Sequence, residues 1–144
     1  MEDTLSSPIT VAVEVKIPLS VTWECWTNPD KIVGWYFASD DWHVTKAEND
    51  LRTGGTFLTR MEAKDGSFGF DFYGVYTIII PLKLIEYVLG DNRRVKIQFE
   101  ETAEGTRVTE IFEAETTNSL ELQQGGWQAI LNNFKKHAEA VQLP

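Results

Sequence analysis

The sequence is poor in cysteine, histidine, cationic residues and long apolar runs. Its one cysteine, Cys25, excludes an internal disulfide and any zinc site built on several thiolates. Set in an apolar stretch between Glu24 and Trp26, it reads as an inert buried thiol rather than a nucleophile. One free thiol fits a reducing compartment, so a cytoplasmic location is expected. The two histidines, His43 and His137, lack a neighbouring His, Cys or paired carboxylate at ligand spacing, so no metal is expected. His137 falls near the end of a helical stretch, where a partial positive charge suits the helix dipole. Lys and Arg number 13 against 22 Asp and Glu, a formal net charge of -9. That balance disfavours nucleic acid and anionic membranes and favours solubility. The longest mostly apolar run, Val75 to Leu82, is too short to span a bilayer, so no membrane insertion is expected. Residues 1 to 8 have neither a basic region nor an apolar one, and no secretory leader is expected. No phosphate-cradling glycine loop or nucleophile elbow occurs; Gly54-Gly55 reads as a hairpin turn. No cofactor and no catalytic residue is assigned.

Among the 144 residues, 42% are hydrophobic and 12% aromatic, composition enough for one domain over 1–144 with a core near 9–141. Ile9, Val11, Val13, Val15 and Ile17 alternate with less apolar residues, the period of a half-buried strand. Pro18 stops it. Ser20 is placed as N-cap of a short helix, Val21 to Thr27, and Asn28-Pro29-Asp30 starts another, Lys31 to Tyr36. Between residues 42 and 115 the pattern is short strands: Trp42 to Glu48, Phe57 to Met61, Phe70 to Ile80, Leu84 to Leu89, Val95 to Phe99 and Arg107 to Glu115. Turn signals separate them, Asp65-Gly66 the plainest. That order predicts an antiparallel meander. From Asn118 to Val141 the period changes to that of a helix. Trp127, Ile130, Leu131, Phe134, Ala138 and Val141 share its apolar face. Asn118 with Glu121 is placed as a capping box. About 24 residues make roughly 35 Å of helix, long enough to cross a small sheet. Gly125-Gly126 inside it suggests a kink, or a close approach to strand backbone.

An ordered set of motifs then resembles a known superfamily. The set begins with a strand running into Pro18, then Val21, Cys25-Trp26-Thr27-Asn28-Pro29-Asp30-Lys31-Ile32 and Trp35. It continues with Gly54-Gly55-x-Phe57, Gly74-x-Tyr76-x-Ile78-x-x-Pro81 and Thr106-x-Val108. It ends with Gly126-Trp127-x-x-Ile130-Leu131-x-Asn133-Phe134-Lys135. These resemble the START-like, or SRPBCC, superfamily, and within it the group of the activator of the 90-kDa heat-shock protein ATPase. The resemblance implies an α+β helix-grip fold, START-like and Bet v 1-like. Its features are a curved antiparallel sheet of six or seven strands, two short helices after the first strand, and a long C-terminal helix across the sheet. Superfamily members bind lipids, hormones or polyketides, and a few are enzymes.

In that arrangement the inner face of the sheet and the underside of the helix enclose a cavity. Trp26, Trp35 and Phe37 would line it from the short helices. Phe57, Met61, Phe72 and Tyr76 would come from the central strands. Tyr87, Ile97, Phe99 and Phe112 would come from later strands, and Trp127, Leu131 and Phe134 from the helix. Glu110 shares the face of Val108 and Phe112, either at the open end of the sheet or inside the cavity. A cavity mouth is the first reading. Inside, desolvation would raise its pKa and make it a candidate acid or base. The leading expectation is non-catalytic binding of a small hydrophobic or amphipathic ligand such as a lipid, sterol or polyketide. One alternative is a protein-interaction module with a chaperone as partner, which a filled core or an exposed apolar patch would favour. The other is a cyclase or hydrolase acting through Glu110.

Overall fold

The computed structural model describes residues 5–141, so half of the 1–8 stretch in which no secretory leader is expected lies outside the described residues. Among the described residues seven strands are formed: β1 (Pro8–Val15), β2 (Trp42–Asn49), β3 (Thr56–Ala63), β4 (Gly69–Ile80), β5 (Leu84–Leu89), β6 (Arg94–Glu101) and β7 (Thr106–Glu113). Two short helices, α1 (Leu19–Thr27) and α2 (Pro29–Ile32), separate β1 from β2, and α3 (Leu120–Val141) closes the chain. The strands form one antiparallel sheet in the order β1-β7-β6-β5-β4-β3-β2. The chain thus leaves β1 through the short helices, re-enters at the far edge, and meanders back until β7 pairs with β1. This is the helix-grip architecture, with the expected α+β composition.

Local signals explain the boundaries, and three differ from the sequence expectation. Pro18, not Ser20, heads α1; no side chain caps it, and the Thr22 hydroxyl donates to the Pro18 carbonyl at 3.0 Å. Asn28 caps α2, its side-chain oxygen accepting from Asp30 N–H at 2.9 Å, with Pro29 in the first turn, where a missing N–H costs nothing. That helix ends at Ile32. Ser119 starts α3 by accepting from Leu122 N–H at 3.1 Å, while Asn118 donates to Glu115 at 2.6 Å instead. Gly125 and Gly126 lie within an unbroken helix on its exposed side, with open space where a Cβ would stand. They mark no close approach. Val141, expected on the apolar face, is exposed.

The core lies between the concave face of the sheet, the short helices and α3. Trp35 is fully buried, and its indole N–H donates to the Cys25 carbonyl at 3.0 Å, tying the segment after α2 to α1. Trp26, Trp35 and Phe134 pack with ring centroids 4.7–4.8 Å apart, in tilted and edge-on geometries that aromatic quadrupoles favour.

The amide of Asn133 reaches from α3 to the Trp35 carbonyl at 2.9 Å. Along the free edge of β1, side chains of α3 take up alternate carbonyls. Gln124 donates to Thr10, Gln128 to Ala12 and Lys135 to Glu14, at 3.3, 3.0 and 2.7 Å. An edge strand covered this way presents fewer open groups to another sheet.

Candidate functional site

One end of the concave face is not filled. A cavity of about 190 Å³ lies between the sheet and the first half of α3. Phe72 of β4, Trp127 and Ile130 of α3, and Tyr36 from the segment after α2 form its walls. Met61 of β3 and Glu110 of β7 face it from the sheet, and Phe70 and Arg93 stand at its rim. Trp127 is held flat against Phe112, centroids 3.8 Å apart and planes 10° apart, so this wall is fixed. Phe72 meets Trp127 edge-on at 6.1 Å and lies tilted to Tyr36 at 5.6 Å. Phe70, Phe72 and Arg93 also border a shallow groove of about 310 Å³ that runs past Gly90 and Asp91, which makes this side the mouth. Arg93 is anchored there by Asp91 at 2.8 Å.

Alternation along β7 puts Glu110 on the inner face, where it pairs with Val11 of β1 and Ile97 of β6 and has Val108 and Phe112 on either side along the strand. It is only 3% exposed, so it lies inside the cavity and not at the expected mouth. Among the described residues no side chain or backbone N–H donates to its carboxyl. Burial alone therefore acts on it, disfavouring the charged form and pushing its pKa up to about 8. Most Glu110 side chains are protonated at neutral pH and can donate a hydrogen bond. The Tyr36 and Tyr87 hydroxyls interact with one another nearby. Burial first, and then neighbouring groups that include the Glu110 carboxyl, hold both phenols well above their usual range.

A second, smaller void of about 30 Å³, the size of one water, lies beneath α1 and α2. Trp26, Phe57, Tyr76 and Tyr87 line it, and the Tyr76 hydroxyl donates to Asn49 at 2.5 Å. Burial raises the Tyr76 pKa, outweighing the Asn49 contact. The fifteen residues expected to line one cavity are thus divided. Met61, Phe72, Glu110 and Trp127 face the larger space, and four others the small void. Trp35, Ile97, Phe99, Phe112, Leu131 and Phe134 are closed into solid core. Phe37 is half-buried and borders neither space, because the turn after α2 presents Tyr36 instead. Arg93, Phe70 and Tyr36 were not anticipated; all lie at turns or strand ends, where periodicity gives no signal.

Elsewhere, no group of three or more His, Cys, Asp or Glu among the described residues could hold a metal ion. No described helix is long and apolar enough to cross a membrane. Cys25 is buried, and burial raises its thiol pKa. His137 departs from the expected cation: its ring lies over Gly34, its Nε2 is buried without a partner, and burial lowers its pKa.

The model of the family described as activator of Hsp90 ATPase homolog 1-like protein matches residues 16–139. The chain belongs to that family. Among solved structures, an AHSA1-like protein from Aeromonas hydrophila is 42% identical, with a TM-score of 0.90 and 95% of each chain covered. A protein from Cytophaga hutchinsonii is 47% identical, with a TM-score of 0.78 over 94% of this chain and 93% of that one. A protein from Nitrosomonas europaea, at 19% identity and TM-score 0.80 over 94% and 96%, shares the fold. No curated protein matches the sequence. Family membership thus comes with a fold, and the residues must supply the function.

Proposed function

We propose that this member of the family is a non-catalytic binding module that works through its surface, as a protein-interaction module of the 90-kDa heat-shock chaperone type. The observation that carries this reading is an apolar stripe on the convex face of the sheet. Tyr73, Val75, Ile78 and Ile80 of β4 stand there 51%, 44%, 39% and 43% exposed. Beside the stripe, a groove of about 540 Å³ has Ile78, Val88 and Ile111 among its lining, with Glu86, Arg94 and Lys96 also on it. An apolar centre with a charged border is the usual anatomy of a transient protein interface. The family match supports a chaperone as the partner. The concave face adds indirect support. Its larger cavity, at about 190 Å³, is below the roughly 300 Å³ at which drug-sized pockets begin, and too small for a sterol or a long acyl chain.

The test is a titration of purified 90-kDa heat-shock chaperone into isotope-labelled protein, with ATP turnover followed in parallel. Saturable amide changes centred on Tyr73, Val75, Ile78 and Ile111, lost in Ile78→Glu, are expected. Changes confined to the concave face, or none, would refute this reading. A second reading, a small-molecule site, is favoured by one observation: Glu110 faces the concave-side cavity without a hydrogen-bond partner among the described residues.

A further inference from the structure

Glu110 is an unusual residue to leave in an apolar pocket. A buried polar group that forms no hydrogen bond costs about 1–3 kcal/mol, and almost any apolar side chain would avoid that cost. The residue is only 3% exposed and lines the cavity, so the missing partner can come from a molecule in that space. The walls limit what that molecule is. Phe72 and Trp127 present aromatic faces and edges, with Trp127 immobilised on Phe112. Met61 adds an adaptable surface. Such a slot selects a flat ring. An apolar protein cavity of about 150 Å³ holds benzene, so about 190 Å³ fits one substituted ring and not two. The two ends differ in chemistry. The inner end holds Glu110, with the Tyr36 hydroxyl close by. The mouth holds Arg93, whose guanidinium has donors beyond the Nε bound to Asp91.

From this arrangement we propose that the cavity binds a single-ring aromatic carboxylate, its ring against Phe72 and Trp127. Its carboxylate faces Arg93 at the mouth, and a hydroxyl or carbonyl oxygen at its inner end hydrogen-bonds Glu110. This goes beyond the surface-interaction reading and does not depend on it. The ligand is read at both ends: Glu110 sets the polar inner end, and Arg93 favours an anion over a neutral ring.

The experiment uses the full chain, isotope-labelled near neutral pH, titrated with 4-hydroxybenzoate and, separately, with benzoate and phenol, which each supply one end. Saturable shifts at Tyr36, Met61, Phe72 and the Trp127 indole are expected with 4-hydroxybenzoate. Benzoate and phenol are each expected to bind about tenfold more weakly, the worth of one well-made hydrogen bond. Glu110→Leu removes the advantage of 4-hydroxybenzoate over benzoate. Glu110→Gln, whose amide still donates, keeps most of it. Arg93→Gln removes the advantage over phenol. No saturable shifts in the wild-type protein, or equal affinity for all three compounds, would overturn the proposal. So would a Glu110→Leu protein that is folded by its amide spectrum and retains the full preference.

Discussion

Two acids three residues apart on β7 are both buried, and they behave in opposite ways. Glu113, at the end of the strand, accepts from the backbone N–H groups of Ser6 and Arg94 at 2.7 Å each, and from the Arg94 guanidinium at 3.1 Å. Desolvation raises its pKa, but these hydrogen bonds outweigh it and hold the carboxyl below its usual range. Glu110, on the inner face, is set deeper and has none of the donors, and burial pushes it up to about 8. Depth of burial and the donors around a carboxylate together decide its charge. The Glu113 end is a structural clasp that joins the segment before β1 to β6. The Glu110 region is a cavity lined by a carboxyl with no hydrogen-bond donor among the described residues.

Removing the clasp has the largest expected effect. Glu113→Leu removes the hydrogen bonds from Ser6 and Arg94 and is expected to lower stability by about 2–3 kcal/mol, read from denaturant midpoints at neutral pH. Glu110→Met is expected to act in the other direction. Replacing an unpaired polar group with an apolar one of similar size raises stability by about 1–2 kcal/mol in the same assay.

The contrast also appears as pH dependence. Folded Glu110 has a raised pKa, so between about 4.5 and about 8 the native state binds more protons than the unfolded chain. Stability therefore falls as pH rises through that window. Below about 6.5 the lowered pKa of His137 opposes this, because the neutral ring of the folded state favours higher pH. From about 6.5 to about 8 the Glu110 effect dominates the two. A loss of about 1–2 kcal/mol is expected over that range, and Glu110→Gln should abolish it. Glu113 acts at the acid end: its contribution is present above the unfolded carboxylate pKa and is lost as pH falls through its lower folded value. The smallest effect on stability belongs to the convex face. Ile78→Glu is expected to stay within about 0.5 kcal/mol of wild type while removing chaperone binding, since that side chain is exposed.

The fold was legible because its elements announce their period. Alternation from Ile9 to Ile17 and again over residues 95–99 gave the faces correctly. The spacing from Trp127 to Ala138 gave the helix. Capping was harder to read, because several polar residues stand near each helix start. Ser119 and not Asn118 begins α3, and Asn118 serves Glu115 instead. The site was half legible. Alternation named Glu110 and its face, but depth along a curved sheet does not follow from period, and the carboxyl lies within the cavity instead of at its mouth. Tyr36 was missed for Phe37 because the chain after Ile32 is neither helix nor strand, so a one-residue choice had no pattern to decide it. The lashing of β1 by Gln124, Gln128 and Lys135 was invisible for another reason. Polar residues on the outer side of an amphipathic helix look like a solvated face until an edge strand is placed beside them.

The most direct test of this account is to follow the side-chain carboxyl carbons of Glu110 and Glu113 through one pH titration of the labelled protein. The account predicts a midpoint near 8 for Glu110 and one below the ordinary value of 4.5 for Glu113. A Glu110 midpoint at about 4.5 would place that carboxyl in water or against a donor, and would contradict the unpartnered, cavity-facing acid on which the site rests.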